Sequence, residues 1–176
     1  MLRTTLDKAY LKRTIRPLYG WTQATPQHLY LDPAWDRSID IYPGMCMMKT
    51  SGENVSLLNA TGIPYGLCGL YIGGDGIDEP LDAGVNSIAV WVLGPDAQFE
   101  VLAPAFDDAE TWTDPGDGTI ALVYANTGAS SDADRGKLTP AGSTHASTKP
   151  VARLIKVVSD TKIIIGGLHP TDFSLS

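Results

Sequence analysis

No stretch of this chain sustains the 3.6-residue apolar spacing of a buried helix. Its apolar residues come in short runs, each closed by glycine, proline or an Asx-containing turn. The run Ile88 to Leu93 is nearly continuous, Gly94-Pro95-Asp96 turns, and Phe99 and Val101 alternate on the return, so the pattern predicts a β-hairpin. The segment RSIDIYPGMCMMKTSGENVSLLNATG reads as three strands separated by turns at Pro43-Gly44 and Ser51-Gly52. GTIALVYANTG is a further β-branched run, and PVARLIKVVSDTKIIIGGL gives two last strands around Ser159-Asp160. The expected fold class is all-β: a compact small barrel or sandwich of short antiparallel strands with an extended N-terminal arm and long loops. With 18 Gly and 12 Pro among 176 residues, turns are plentiful and one self-sufficient core is expected.

Residues 1–35 read differently from the rest. LRTTLDKAYLKRTI suits a short helix, and the following segment sets Pro17, Pro26 and Pro33 among Tyr19, Trp21, Tyr30 and Trp35. Proline at this spacing argues against helix and central strand alike, so residues 1–35 are expected as an extended arm ahead of a β domain over 36–176. Its aromatics must bury themselves either on the chain's own body or on a neighbouring subunit. Within the domain, residues 126–150 are rich in Ser, Thr, Ala and Gly and read as a long loop, functional or mobile.

Charge narrows the function classes. The net charge is −7, yet residues 1–16 hold Arg3, Lys8, Lys12, Arg13 and Arg16 against Asp7 alone. No Lys or Arg lies between Lys49 and Arg135, a span that carries fourteen carboxylates from Glu53 to Asp134. Such a body repels nucleic acid, whose binding rests on cationic neutralisation of phosphates. No segment has signal-peptide or transmembrane character, so synthesis in a cytoplasm and no membrane partner are expected.

The glycine-rich stretch YGLCGLYIGGDGIDEP, residues 65–80, invites a phosphate-loop reading and fails it. No Lys follows before Arg135, no third glycine completes a dinucleotide fingerprint, and Asp75, Asp78, Glu79 and Asp82 repel phosphate. Its glycines are expected to supply positive-φ turns between strands. Cys46 and Cys68 fit no metal spacing and read as buried thiols. His28, His145 and His169 make no metal-binding pattern, no nucleophile elbow exists, and a calcium loop counted from Asp114 puts Ala125 where a bidentate acid is needed. The expectation is therefore a non-enzyme with no cofactor and no metal, built as a piece of a larger assembly.

Taken in order, the arm, then YPGMCMMKTSGENVSLLN, VLGPDAQFEVLAPAFD and KPVARLIKVVSDTKIIIGGL, the sequence resembles the head decoration, or cement, proteins of tailed bacteriophages over roughly residues 30–170. The resemblance implies a virion protein on the outer capsid surface. It implies a homotrimer at local three-fold positions that binds the major capsid protein and stabilises the shell by bridging its subunits. Expected partner-binding residues are Arg13, Arg16, Tyr19, Trp21, Tyr30 and Trp35, the arginines pairing with shell carboxylates. The alternatives are a tail or baseplate β domain, or a barrel binding a small molecule or glycan.

Overall fold

The computed structural model describes residues 13–35, 39–72, 87–117, 119–129 and 131–174, with the backbone alone at Trp21, Ser87, Phe173 and Ser174. The all-β expectation holds, and eleven strands run through the described residues: β1 (Ile15–Tyr19), β2 (Thr25–Leu31), β3 (Cys46–Ser51), β4 (Asn54–Leu57), β5 (Pro64–Cys68), β6 (Ser87–Val92), β7 (Gln98–Leu102), β8 (Ala121–Ala125), β9 (Leu138–Pro140), β10 (Ala152–Ser159) and β11 (Lys162–Gly166). They form a closed barrel of order β2-β4-β3-β5-β6 and a six-stranded antiparallel sheet of order β1-β7-β11-β10-β8-β9. All barrel pairs are antiparallel except β2 with β4.

Two of the predicted hairpins form, β3 with β4 and β10 with β11. The third does not. β6 pairs with β2 and β5 in the barrel, whereas β7 pairs with β1 and β11 in the sheet. The Gly94-Pro95-Asp96 turn carries the chain from one layer to the other instead of folding it back. Residues 20–24 do the same on the opposite chain. Tyr19 lies opposite Gln98 and Thr25 opposite Val92, six steps on along each strand. The register therefore carries through, and β1–β2 against β6–β7 is one bent two-stranded ribbon belonging to both layers.

The bend is fixed by close backbone approach. The Gly94 N–H donates to the Gln23 carbonyl at 3.0 Å, and the Gln23 amide donates to the Asp96 carboxylate at 2.9 Å. Gly20 has φ 57°, and a Cβ there would sit 2.1 Å from the Asp96 carbonyl oxygen; one on Gly167 would sit 1.9 Å from the Gly94 oxygen. Neither position admits a side chain without moving backbone.

The ribbon corrects the arm reading for part of its range, because residues 15–19 and 25–31 are strands of the body. Residues 1–12, including most of the predicted short helix, lie outside the described residues. The two prolines are tolerated for a physical reason. The Leu102 N–H donates to the Thr14 carbonyl, so antiparallel alternation turns the Ile15 and Pro17 backbone groups away from β7. In β2 the Tyr30 N–H reaches Glu53, so the even-numbered residues face away from β6, and Pro26 lies in the half of β2 that pairs with β6 alone. Each proline's missing donor is on a side where no ladder bond is made.

Phe99, Val101, Ile163, Ile165 and Val123 from the sheet pack into one continuous core with Leu29, Val55, Leu57, Leu67, Ile88 and Val90 from the barrel. Trp91 on β6 meets Phe99 on β7 across the join, ring centroids 5.7 Å apart. The 126–150 segment is also built in. Asp132–Asp134 form a 3-10 turn capped by Ser131, β9 pairs with β8, and the Ser147 hydroxyl accepts from the Ala125 N–H and donates to the Lys149 carbonyl. Leu138 and Thr139 are fully buried there. The sequence hides this strand because its three residues carry one large apolar side chain.

Gly66 and Gly69 from the glycine-rich stretch do not have positive φ. Gly66 sits within β5, and a Cβ there would come 2.6 Å from the Trp91 carbonyl oxygen; the residue permits close approach of β6 rather than a turn. Gly73, Gly74 and Gly76 lie outside the described residues.

The bend makes a graded prediction. Gly20→Ala and Gly167→Ala each lower the unfolding free energy by about 2–3 kcal/mol, since the added methyl overpacks against backbone. Gly52→Ala has φ 54° but nothing within 4 Å, so it costs only about 1 kcal/mol. Urea denaturation of the three variants checks the ranking.

Candidate interaction surface

The barrel is closed, and the β9 margin of the sheet is covered by residues 105–107: the Leu138 N–H donates to Ala105, and the Asp107 N–H to Leu138. β1 forms the other margin, and no strand among the described residues pairs with its outer side. Such an edge presents main-chain groups that another chain can address.

Three of the predicted contact residues gather at this edge. Arg13 is exposed just ahead of β1. Arg16 lies on it with its side chain 65% exposed and its guanidinium 3.1 Å from the Glu100 carboxylate. Tyr19 ends the strand, 70% exposed, beside Leu18 at 39%. Tyr30 is brought elsewhere, to the end of β2 opposite Ser87 and Asn54, where it is 38% exposed. Trp21 sits in the 3-10 turn at the bend, and its side chain lies outside the described residues. Trp35 is a correction in place: it is buried in the protein's own core, so the chain's body takes this aromatic.

Residues not singled out from the sequence complete the surface. Glu100 is nearly buried on β7 and holds Lys162 of β11 at 3.5 Å as well as Arg16. One carboxylate thus faces two cations across three neighbouring strands. A signal was present, since an acid between Phe99 and Val101 in an alternating strand must face away from the core. Beside β1 opens a cleft of about 780 Å³ lined by Ile15, Pro17, Pro43, Leu70, Trp91 and Leu102. Leu70 is 49% exposed. The Thr14 hydroxyl donates to the Pro43 carbonyl, tying the entry of β1 to Pro43.

Cys46 and Cys68 are buried free thiols, and burial pushes Cys68 up to about 12 and Cys46 further still, so neither forms a thiolate near neutral pH. Among the described residues no group of three or more His, Cys, Asp or Glu could hold a metal ion, and no helix is long and apolar enough to cross a membrane.

The best-organised charge in the molecule is structural. Asp172 is wholly buried, receives two N–H bonds from the Arg153 guanidinium and a third from the His169 backbone at 2.7 Å. The Arg153 hydrogen bonds hold its carboxyl below the ordinary carboxylate range. This pins the C-terminal 3-10 turn (Pro170–Ser174) onto β10. A carboxyl whose folded pKa is depressed gives stability that is present above its unfolded value and lost as pH falls through the folded value. Asp172→Ala is therefore expected to lower stability by about 3 kcal/mol at neutral pH. Denaturant titrations at falling pH should show wild type and variant converging in acid.

The sequence pattern of the phage cement protein family matches residues 1–174. No curated protein and no solved structure is significantly similar to the chain. The family match spans both layers and the strand edge described above, and with nearly the whole chain covered, this protein belongs to the phage cement protein family, whose members are capsid-stabilising structural proteins of the virion.

Proposed function

We propose that this protein acts on the outer surface of the phage head as a trimer at local three-fold positions, bridging neighbouring major capsid subunits and making or breaking no covalent bond. The observation that carries the reading is the β1 margin, where Leu18, Tyr19 and Arg16 are exposed together on a strand edge in a member of a capsid-stabilising family. Arg3, Lys8 and Lys12 precede that strand in sequence and extend its cationic character. Aromatic and arginine side chains dominate the energetics of protein interfaces, and rim carboxylates on a shell subunit would find Arg13 and Arg16.

A trimer suits the task. Once one contact forms, the second and third form at high effective concentration, so modest individual contacts add up to firm attachment. Each needs a patch of only about 800 Å² per partner. The exposed carboxylates Asp108, Asp114 and Asp117 then face solvent, where like charge keeps finished particles apart. Nucleic acid and membranes are not partners in this scheme, and the chain is made in the host cytoplasm.

Native mass spectrometry tests the assembly state, with a species near three times 18.8 kDa expected alone or on shells. Co-sedimentation with expanded empty shells tests the contact. Tyr19→Ala combined with Leu18→Ser should weaken shell binding by about tenfold or more while leaving the thermal midpoint unchanged. A strictly monomeric protein that stays in the supernatant would refute the proposal.

A further inference from the structure

We infer that the sheet is a tension clamp: load applied between the two ends of the chain runs along the strands and is borne by the whole β1–β7–β11 ladder at once. This property belongs to the fold and does not depend on what the protein is attached to.

Strand order supplies the arrangement. β7 has β1 on one side and β11 on the other, both antiparallel to it, so β1 and β11 run parallel to each other. Among the described residues β1 is the first strand and β11 the last, followed only by the C-terminal turn. Glu100, in the middle of β7, meets Arg16 of β1 and Lys162 of β11, so one carboxylate braces both strands against the same neighbour.

Register puts the two ends of the chain at opposite ends of that ladder. At the entry, the Leu102 N–H donates to the Thr14 carbonyl, and Leu102 lies opposite Lys162. At the exit, Tyr19, Gln98, Gly166 and Arg153 stand in one row across four strands. Arg153 holds the buried Asp172, which keeps the C-terminal turn in that row. Tension between the ends therefore draws β1 backwards from the Thr14 row and β11 forwards from the Gly166 row, each along its own axis. Hydrogen bonds of an antiparallel ladder lie perpendicular to the strands, so such a load strains all of them together. Slippage is opposed by packing as well, because a shift of β11 by one residue turns the buried Ile163 and Ile165 out of the core.

A load at the tip of the β10–β11 hairpin acts differently. Asp160 and Thr161 join those strands, and the Ala103 N–H donates to the Thr161 carbonyl, so the tip lies beside the Thr14 row. Pulling the N-terminal end against Asp160 acts across the strands and opens β1 from β7 one bond at a time, from Ile15 onward.

Single-molecule force spectroscopy on one variant, Asp160→Cys, pulls the same protein both ways. Asp160 is exposed, whereas Cys46 and Cys68 are buried, so a thiol-reactive handle attaches at position 160. Held by its two chain ends, the protein should unfold at a force about twofold or more above that needed between the N-terminal end and position 160 at the same pulling speed. Equal forces, or a higher force for the tether at position 160, would overturn the inference. Shells take no part in the measurement, so the capsid-binding reading stands or falls separately.

Discussion

The fold depends on one bent ribbon. β1 and β2 run against β7 and β6 in a register that survives the passage from sheet to barrel, and everything else is hung on that frame. Neither layer would hold alone as it stands. The barrel takes two of its five strands from the ribbon, and the sheet takes two of its six. A ribbon that bends this sharply needs backbone to pass backbone without side chains between, which is why Gly20, Gly94 and Gly167 meet at the corner and why Gln23 and Asp96 bond across it. Bending also lets Trp91 and Phe99, on successive strands in different layers, bury against each other and fuse the two cores. A small β protein gains stiffness from such a join, since shearing one layer against the other would break the ladder, the turn hydrogen bonds and the core together.

Stiffness in the body makes a load-carrying edge possible. Closing the barrel removes its edges, and residues 105–107 cover the β9 margin, so among the described residues β1 is left as the margin where another chain can add. That strand is backed by β7, tied at its entry by Thr14 to Pro43, and braced on its outer face through Arg16, Glu100 and Lys162. In the proposed role the protein holds separate capsid subunits together. A contact strand built into a two-layer frame transmits tension far better than a loop would. The thiols are buried and protonated, and the ion pair of Arg153 with the buried Asp172 secures the C-terminal turn.

Much of the strand content was legible, because β-branched and alternating runs such as Ile88 to Val92 and Lys162 to Ile165 announce themselves. Pairing was not. A tight Gly-Pro-Asp turn between two apolar runs looks the same whether the chain folds back on itself or changes layer; the deciding partner, β1–β2, lies some seventy residues away in sequence. The same non-local pairing turned a proline-broken stretch into strands, since Pro17 and Pro26 matter only on the side that bonds, and sequence does not say which side that is. Of the residues expected at a contact, Arg13, Arg16 and Tyr19 were chosen by type and lie together at β1 in the fold. Trp35 was a sound anchor by type yet went to the core; Glu100 carried a local signal, whereas Leu70 and Lys162 became visible only in the folded chain.

The central claim is that this protein strengthens a phage head by contact alone, and heads prepared without it test that claim most directly. Such heads should release their DNA at a lower temperature than complete heads, and adding back purified protein should restore the complete-head temperature in a saturable way, with no cofactor and no time-dependent reaction. Identical release temperatures with and without the protein would contradict the account.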